Sequence, residues 1–538
     1  VPVGTNKIKP ATEREETAKV QRRALFSTFF AGLLTPLVLA CGHDPHGGTV
    51  RIRMPLPDRL DPGTVESDLD AQLAAHVYSG LTTLNPEGEP IPDLAQRWSI
   101  SSDGRTYRFP LRQNIRFHNG ESLTADSIKV SWQRVLNPKF ESPAALRFLG
   151  KIAGIARYRN GLDNEISGLR AIDERTLEVE LSETDLAFPA KATHPVTYVM
   201  PPPVTGADMT LGSGPFAVVD WKPGEALTLA RNEEYYGFEP HLDRIEITDN
   251  ANADSLDLYL EDALDVLYIG ANDIPTVLDR NNPLNRDLNI ESGLDTTFLA
   301  MNNRLPPFDD EKVRQAFALA IDRAAIADQV FSQTVGKATS LLPPSLALTD
   351  DSPAADFDVF KARQALADSR YRDASNLPEV TFTVPGTRGS APPQILALIS
   401  MFQQHLGVSV RVERVPWADF VGNLDQRGNP YQLFLFSWHA DYPDPQAVLD
   451  PLFRSTSLSN YSDYLNQEVE ALLVEARGET NSDRRQETFN SIEQIVSSEV
   501  PVTPLWNSKS YVLIKPWLRD VQLSANARPW LNRVYLDS

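Results

Sequence analysis

The 538-residue chain holds one cysteine, Cys41, so no disulfide can form within it and its cores must hold without covalent staples. Cationic charge is also scarce. Lys and Arg number 51 against 72 Asp and Glu, a net charge of −21 spread along the chain with no basic block. Nucleic-acid partners are thereby excluded, because phosphate binding needs concentrated positive charge. Neither GxGxxG nor GxxxxGK followed by Ser or Thr occurs, which removes the usual cradle for nucleotide phosphates. The eight histidines are scattered without an HExxH pair, so no metal or other cofactor is expected. Gly212-Ser213-Gly214 lacks the GxSxG frame of a nucleophile elbow. Two carboxylates suited to glycoside hydrolysis can come from anywhere in a chain, so an exported acid hydrolase stays open. Beyond residue 41 no run approaches the roughly 20 apolar residues that span a bilayer.

The apolar run that does exist lies before Cys41. Residues 24–40 are uncharged and mostly apolar, follow Lys19, Arg22 and Arg23, and end in Ala40. This is the layout of a signal peptide, with residues 1–40 as the signal and what precedes it. Val38-Leu39-Ala40-Cys41 resembles a bacterial lipoprotein processing box, in which the Cys becomes the lipidated first residue, although Leu39 is bulky for its place. An uncleaved anchor is the alternative, against which stand Pro36 and the short span. Arg22-Arg23 fits a twin-arginine signal loosely. Residues 42–48 read as a polar tether; His43 and His46 there suit a linker better than a metal site.

At roughly 100–200 residues per domain the length implies about three domains. Strands and helices interleave with no repeat, which gives a mixed α/β class. Alternation marks strands at Thr106–Arg112, Thr176–Ser182, Glu379–Val384 and Val408–Val412. The run Gln432–Trp438 is continuously apolar between Pro430 and Pro443, which predicts a strand buried on both faces. Helical spacing predicts one helix over Asp310–Phe331, with Asp322-Arg323 as a structural ion pair on it, and two more near Leu465–Ala476 and Phe489–Val496.

Several strings, in order, resemble the family 5 extracellular solute-binding proteins, the receptors of oligopeptide, dipeptide and nickel ABC importers. They include Leu60-Asp61-Pro62, Tyr78-Ser79-Gly80-Leu81, Pro92-Asp93-Leu94-Ala95, Ser102-Asp103-Gly104-Arg105-Thr106-Tyr107, Gly212-Ser213-Gly214-Pro215-Phe216 and Ser437-Trp438-His439-Ala440-Asp441-Tyr442-Pro443. The resemblance covers essentially residues 50–538. It implies a two-lobed periplasmic-binding-protein fold of the cluster C type, with mixed sheets, a hinge and an extra domain inserted in the first lobe. Domain I would comprise 41–80, 195–292 and 509–538, domain II 81–194, and domain III 293–508. The hinge would lie near Gly293–Asn302 and Ser508–Ile514.

The same resemblance implies a set of ligand-binding residues. Asp441 would hold a ligand's α-ammonium, and a carboxylate shut in a cleft is costly unless a cation meets it. Asp444, between two prolines, is the competitor and reads as a turn residue. Trp438 would stack on a ligand side chain, or else serve as a core Trp at a strand end. Trp417 matches a pocket-lining Trp, and Arg427 a carboxylate-binding Arg if one residue is deleted here. His439 is an alternative partner for that carboxylate, because a second basic position of the family is Leu435 in this chain. Glu66 matches an acidic residue near bound peptide, or is a plain loop carboxylate. The segment Thr296–Met301 would offer its backbone to the peptide as an added strand.

The expected function is therefore that of a non-enzymatic lipoprotein receptor, a monomer, that captures short peptides. It would deliver them to an ABC permease and ATPase complex at the inner membrane. The same receptor binding a nickel chelate, haem or an oligosaccharide is the alternative.

Overall fold

The computed structural model describes residues 47–65, 67–86, 88–142, 144–202, 209–249, 255–349, 354–424, 426, 428–523 and 531–537. Cys41 with the segment before it, Glu66 and Arg427 lie outside the described residues.

A period of two in burial builds the main sheet. In β1, Thr49–Arg53, Val50 and Ile52 are buried between half-buried Thr49, Arg51 and Arg53. The other strands are β2 (Phe216–Lys222), β3 (Ala226–Arg231), β4 (Arg244–Thr248), β5 (Val266–Tyr268), β6 (Leu288–Met301), β7 (Val335–Lys337), β8 (Val380–Pro385), β9 (Val410–Val415), β10 (Leu433–His439) and β11 (Val502–Ile514). Among the described residues they form one eleven-stranded sheet in the order β9-β8-β10-β6-β11-β5-β1-β4-β3-β2, with β7 added on β11. The sheet is mixed: β1 runs parallel to β4 and β5, and β8 runs parallel to β9 and β10.

The two long strands β6 and β11 pass through both halves of this sheet. Their antiparallel ladder runs from Leu288 opposite Leu513 to Ser292 opposite Lys509, and resumes at Thr296 opposite Asn507. Residues 293–295 thus face Ser508 alone, a bulge that bends both strands where one half of the sheet becomes the other. Gly293 sits in close approach there: a Cβ on it would lie 2.6 Å from Ser508 Oγ, which would have to turn away.

Each half has its own core. Val50, Ile52, Phe216, Ile245 and Val512 gather on the β1 side, and Leu299, Phe317, Phe382, Phe402 and Leu433 on the β10 side. A third core belongs to a separate antiparallel sheet of Ser99–Ile100, Thr106–Pro110, Thr176–Glu180 and Leu169–Asp173. A helix over Ala125–Leu136, started by a Thr124–Ser127 capping box, buries Trp132 against it. This core does not stop at the segment's own residues. The short helix α1 (Ala145–Leu149) and Phe188 share it with helices from late in the chain, α3 (Gln446–Phe453), α4 (Gln467–Gly478) and α5 (Ser482–Glu499); α2 (Trp417–Leu424) belongs to a smaller aromatic cluster.

Four expectations are corrected. The single helix over Asp310–Phe331 is in fact Glu311–Leu319, a break, and a second turn from Arg323 that runs into a π-helical stretch to Val330. Asp322 causes the break by capping the second piece, accepting from Ala325 N–H at 2.9 Å, so it is not the ion-pair partner of Arg323. Arg323 instead donates to the carbonyls of Pro504 and Ala355, both at 2.7 Å. The strand β10 is buried on both faces only at Leu433 and Phe434; Ser437 is exposed and its neighbours half-buried. Finally, Thr296–Ala300 is paired on one side by β10 and on the other by β11, so neither edge of that segment can accept a ligand strand.

Candidate functional site

An edge left open within the sheet belongs to β10. Its pairing with β8 consists of Phe382 opposite Leu433, whereas its pairing with β6 runs from Leu433 to His439. Among the described residues, Phe434–His439 are therefore laddered on one edge only. The strand ends when Ala440, fully buried, donates its N–H to Leu294 O at 3.0 Å. Asp441 follows at once, in the loop before α3.

The Asp441 carboxylate is set into the wall, with its side chain 14% exposed, and Oδ2 lies 3.0 Å from Arg147 Nε on α1. Arg147 is 53% exposed. The next residue on each side locks the two elements together: Phe148 and Tyr442 are buried and meet edge to face with centroids 6.4 Å apart. Phe148 also stacks on His194 at 3.8 Å. Burial, followed by the negative charge of Asp185 and Asp444, pushes the Tyr442 phenol well above its ordinary range, so it stays neutral.

His439 faces Asp295 across β10 and β6, with Nδ1 3.2 Å from Asp295 Oδ1. Ser508 Oγ donates to the other oxygen of Asp295 at 3.0 Å. Burial alone would raise the Asp295 carboxyl, but the His439 hydrogen bond and charge and the Ser508 hydroxyl outweigh it and hold it below the usual carboxylate range. Asp295 and Ser508 occupy the bulge itself, and His439 faces it from β10. Asn507 completes the cluster by donating to Asp295 O at 3.2 Å and to Thr296 Oγ1 at 2.8 Å.

Trp438 is half-buried, packs against the third core and donates its indole N–H to Ala447 O at 2.9 Å. Trp417 stands at the start of α2, 67% exposed and stacked on Phe420 at 6.4 Å. Asp444 is taken by Arg485, whose two terminal nitrogens approach it at 2.7 and 2.9 Å. That pair continues a polar cluster joining residues 183–191 to α3, α4 and α5. Asp185 pairs with Lys191 and accepts from Gln446 at 3.1 Å, and Arg477 binds Asp450 and Glu183. Two cavities of about 340 Å³ each are lined by neither Asp441 nor Arg147; one lies along Pro57–Val65, the other between Leu186, Pro445 and Arg485. Among the described residues no group of three or more His, Cys, Asp or Glu side chains is placed to hold a metal ion.

The structure thus brings together Trp438, His439 and Asp441 on β10 and the loop after it. It adds Arg147, Asp295 and Ser508, which no motif had marked. Asp295 falls inside the span where a hinge was expected; Arg147 sits in an unremarkable helix, Ala-Leu-Arg-Phe-Leu.

Two half-sheets joined by a pair of bent crossing strands, with charged and aromatic side chains clustered at the bend, define a two-lobed solute-binding protein. The description "Bacterial extracellular solute-binding proteins, family 5 Middle" matches residues 89–460, and the chain belongs to that family. Its members are binding receptors, which closes the hydrolase alternative. The dipeptide-binding protein DppE of Bacillus subtilis is 27% identical over 475 residues, 84% of each chain. Heme-binding protein A of Haemophilus influenzae is 28% identical over 468 residues, covering 82% of this chain and 83% of that one. In fold the chain resembles the periplasmic murein tripeptide-binding protein MppA in its unliganded open form, with a TM-score of 0.80, 23% identity and coverage of 91% and 97%. Among the described residues no helix is long and apolar enough to cross a membrane.

Proposed function

We propose that the chain captures a short peptide between its lobes and delivers it to an ABC permease and ATPase complex at the inner membrane. It does so as a monomer in the periplasm, held to a membrane by a lipid on Cys41. The lobes are domain I (41–80, 195–292, 509–538) carrying domain II (81–194), and domain III (293–508). The observation that carries this reading is the open edge of β10 ending at Asp441. A peptide that adds to this edge gains main-chain hydrogen bonds whatever its sequence, and its α-ammonium reaches the carboxylate at the strand end. Trp438 and Trp417 then border its side chains, and Arg427 or His439 its carboxylate, with Glu66 beside it.

Relatives named for dipeptide and for heme binding make the solute the point to test. Native mass spectrometry of protein purified from cells is expected to show bound peptides within a narrow length range. A single haem, metal chelate, sugar or bile acid in their place overturns the peptide reading. Asp441→Ala is expected to weaken free-amine peptides far more than N-acetylated ones by calorimetry; equal losses remove Asp441 from its role.

A further inference from the structure

We infer that the open edge of β10 selects its ligand by alternate side chains. Every second residue of an added peptide lies on an aromatic face formed by Phe436, Trp438 and α2, and the residues between lie on a polar face formed by Ser437 and His439. The inference deepens the peptide reading and rests on it.

The two faces follow from the register. Facing residues of paired strands put their side chains on the same side of the sheet, and successive residues put theirs on opposite sides. Phe434, Phe436 and Trp438 face Ala300, Phe298 and Thr296, whereas Leu435, Ser437 and His439 face Leu299, Thr297 and Asp295. On the first side the rings are continuous. Phe298 stacks on Phe436 with centroids 5.3 Å apart, Tyr461 meets Phe436 edge to face at 5.3 Å, and Phe434 reaches Phe420 of α2 at 6.0 Å. Trp417 ends this run, stacked on Phe420 and 67% exposed. On the second side the apolar residues of β10 stop at Leu435. Ser437 is exposed and shares a hydroxyl hydrogen bond with Thr297 at 2.8 Å. His439 Nδ1 lies 3.2 Å from Asp295 Oδ1, and the same carboxylate accepts from Ser508 Oγ at 3.0 Å.

A ligand strand inherits this division. Its main chain is held at the edge whatever its sequence, and its own period of two sends neighbouring side chains to opposite faces. A large apolar side chain on the aromatic face removes its own surface and part of the Trp417 indole from water, a gain of about 10-fold for a partly buried ring. The same side chain one position along meets hydroxyls and a hydrogen-bonded carboxylate. Covering those groups strips water from them and supplies no new partner. The receptor therefore reads a pattern: bulky and apolar at alternate places, small or hydrogen-bonding in between. The ligand class is a short extended peptide with one apolar and one polar side.

The test uses the full chain and calorimetry. Di-, tri-, tetra- and penta-alanine find the preferred length, and that peptide is then scanned with a single Phe at each position. Phe is expected to tighten binding about 10-fold at alternate positions, and to weaken it or leave it within about 2-fold at the positions between. Trp417→Ala is expected to cut the gain at the favoured positions by about 3-fold or more. A tryptophan with a merely structural role would shift every position alike. Ser437→Leu extends apolar surface onto the other face and is expected to create a gain at the positions between. If Phe gains equally at neighbouring positions or at none, the two-faced selection is wrong while the peptide reading stands. If the gain survives Trp417→Ala whole, the aromatic face is wrong and the selection falls with it. If wild type binds no member of the panel, the peptide reading itself falls.

Discussion

His439 Nδ1 and Asp295 Oδ1 lie 3.2 Å apart on directly facing residues of β10 and β6, at the step where β6 loses register with β11. The contact ties the strand that ends at Asp441 to the bend between the two half-sheets. Because the Asp295 carboxyl is held below its usual range, the native state binds its proton more weakly than the unfolded chain does. Its contribution is then complete above about pH 4 and is lost as pH falls through the lower native value. Asp295→Asn is expected to lower the melting temperature at pH 7, with the gap to wild type narrowing as pH falls below about 4. A gap that persists unchanged in acid would show that the loss is one of packing.

Asp93 has the opposite sign. Its carboxyl accepts from Tyr236 Oη at 2.6 Å and lies near Arg112, yet burial dominates and pushes it up to about 6. The native state therefore binds the proton better than the unfolded chain, and stability falls as pH rises through the interval between the unfolded value and about 6. Asp93→Asn, which keeps the acceptor for Tyr236, is expected to stabilise the protein by roughly 1–3 kcal/mol at pH 8 and to change nothing below about pH 4. Urea titrations at the two pH values measure the difference.

Gly293 tests the bulge. The Cβ of Gly293→Ala would meet Ser508 Oγ at 2.6 Å, and overpacking of this kind costs about 1–3 kcal/mol. Ser508→Ala removes the obstructing atom along with one hydrogen bond to Asp295, so the Gly293→Ala penalty is expected to shrink in that background. Equal penalties in both backgrounds, read from denaturant midpoints, would place the clash elsewhere.

Phe148 tests the wall that carries Arg147. Truncation to Ala empties a buried site against His194 and Tyr442 and is expected to cost roughly 3–5 kcal/mol. Denaturant midpoints of wild type and Phe148→Ala measure the loss, and an effect under about 1 kcal/mol would show that the wall closes over the gap.

Much of the scaffold was legible because its signals are local. Thr176–Glu180 alternates every second residue, and the period of a strand with one buried face needs no distant partner to be recognised. Two helices near the end of the chain show their apolar spacing for the same reason. The errors arose where tertiary pairing overrides local pattern. Asp322 looks like a mid-helix ion-pair member until its side chain is seen to cap a new turn. Thr296–Met301 looks like a free strand until both of its neighbours are in place. Arg147 could not be found at all, because an arginine in a short apolar helix has many uses, and only the fold brings it to Asp441.

The crossing strands β6 and β11 lie side by side as a two-stranded ribbon, hydrogen-bonded above and below the bulge. A single linking chain would let the halves swivel, slide and fold in several directions. Two chains, about 4.8 Å apart and fastened on both sides of a short step out of register, would resist torsion about their common axis and in-plane shear more than bending out of the ribbon plane. Any relative movement of the halves would thereby be reduced to nearly one angle, and every residue at the step, Gly293, Asp295 and Ser508 included, would act on that one coordinate.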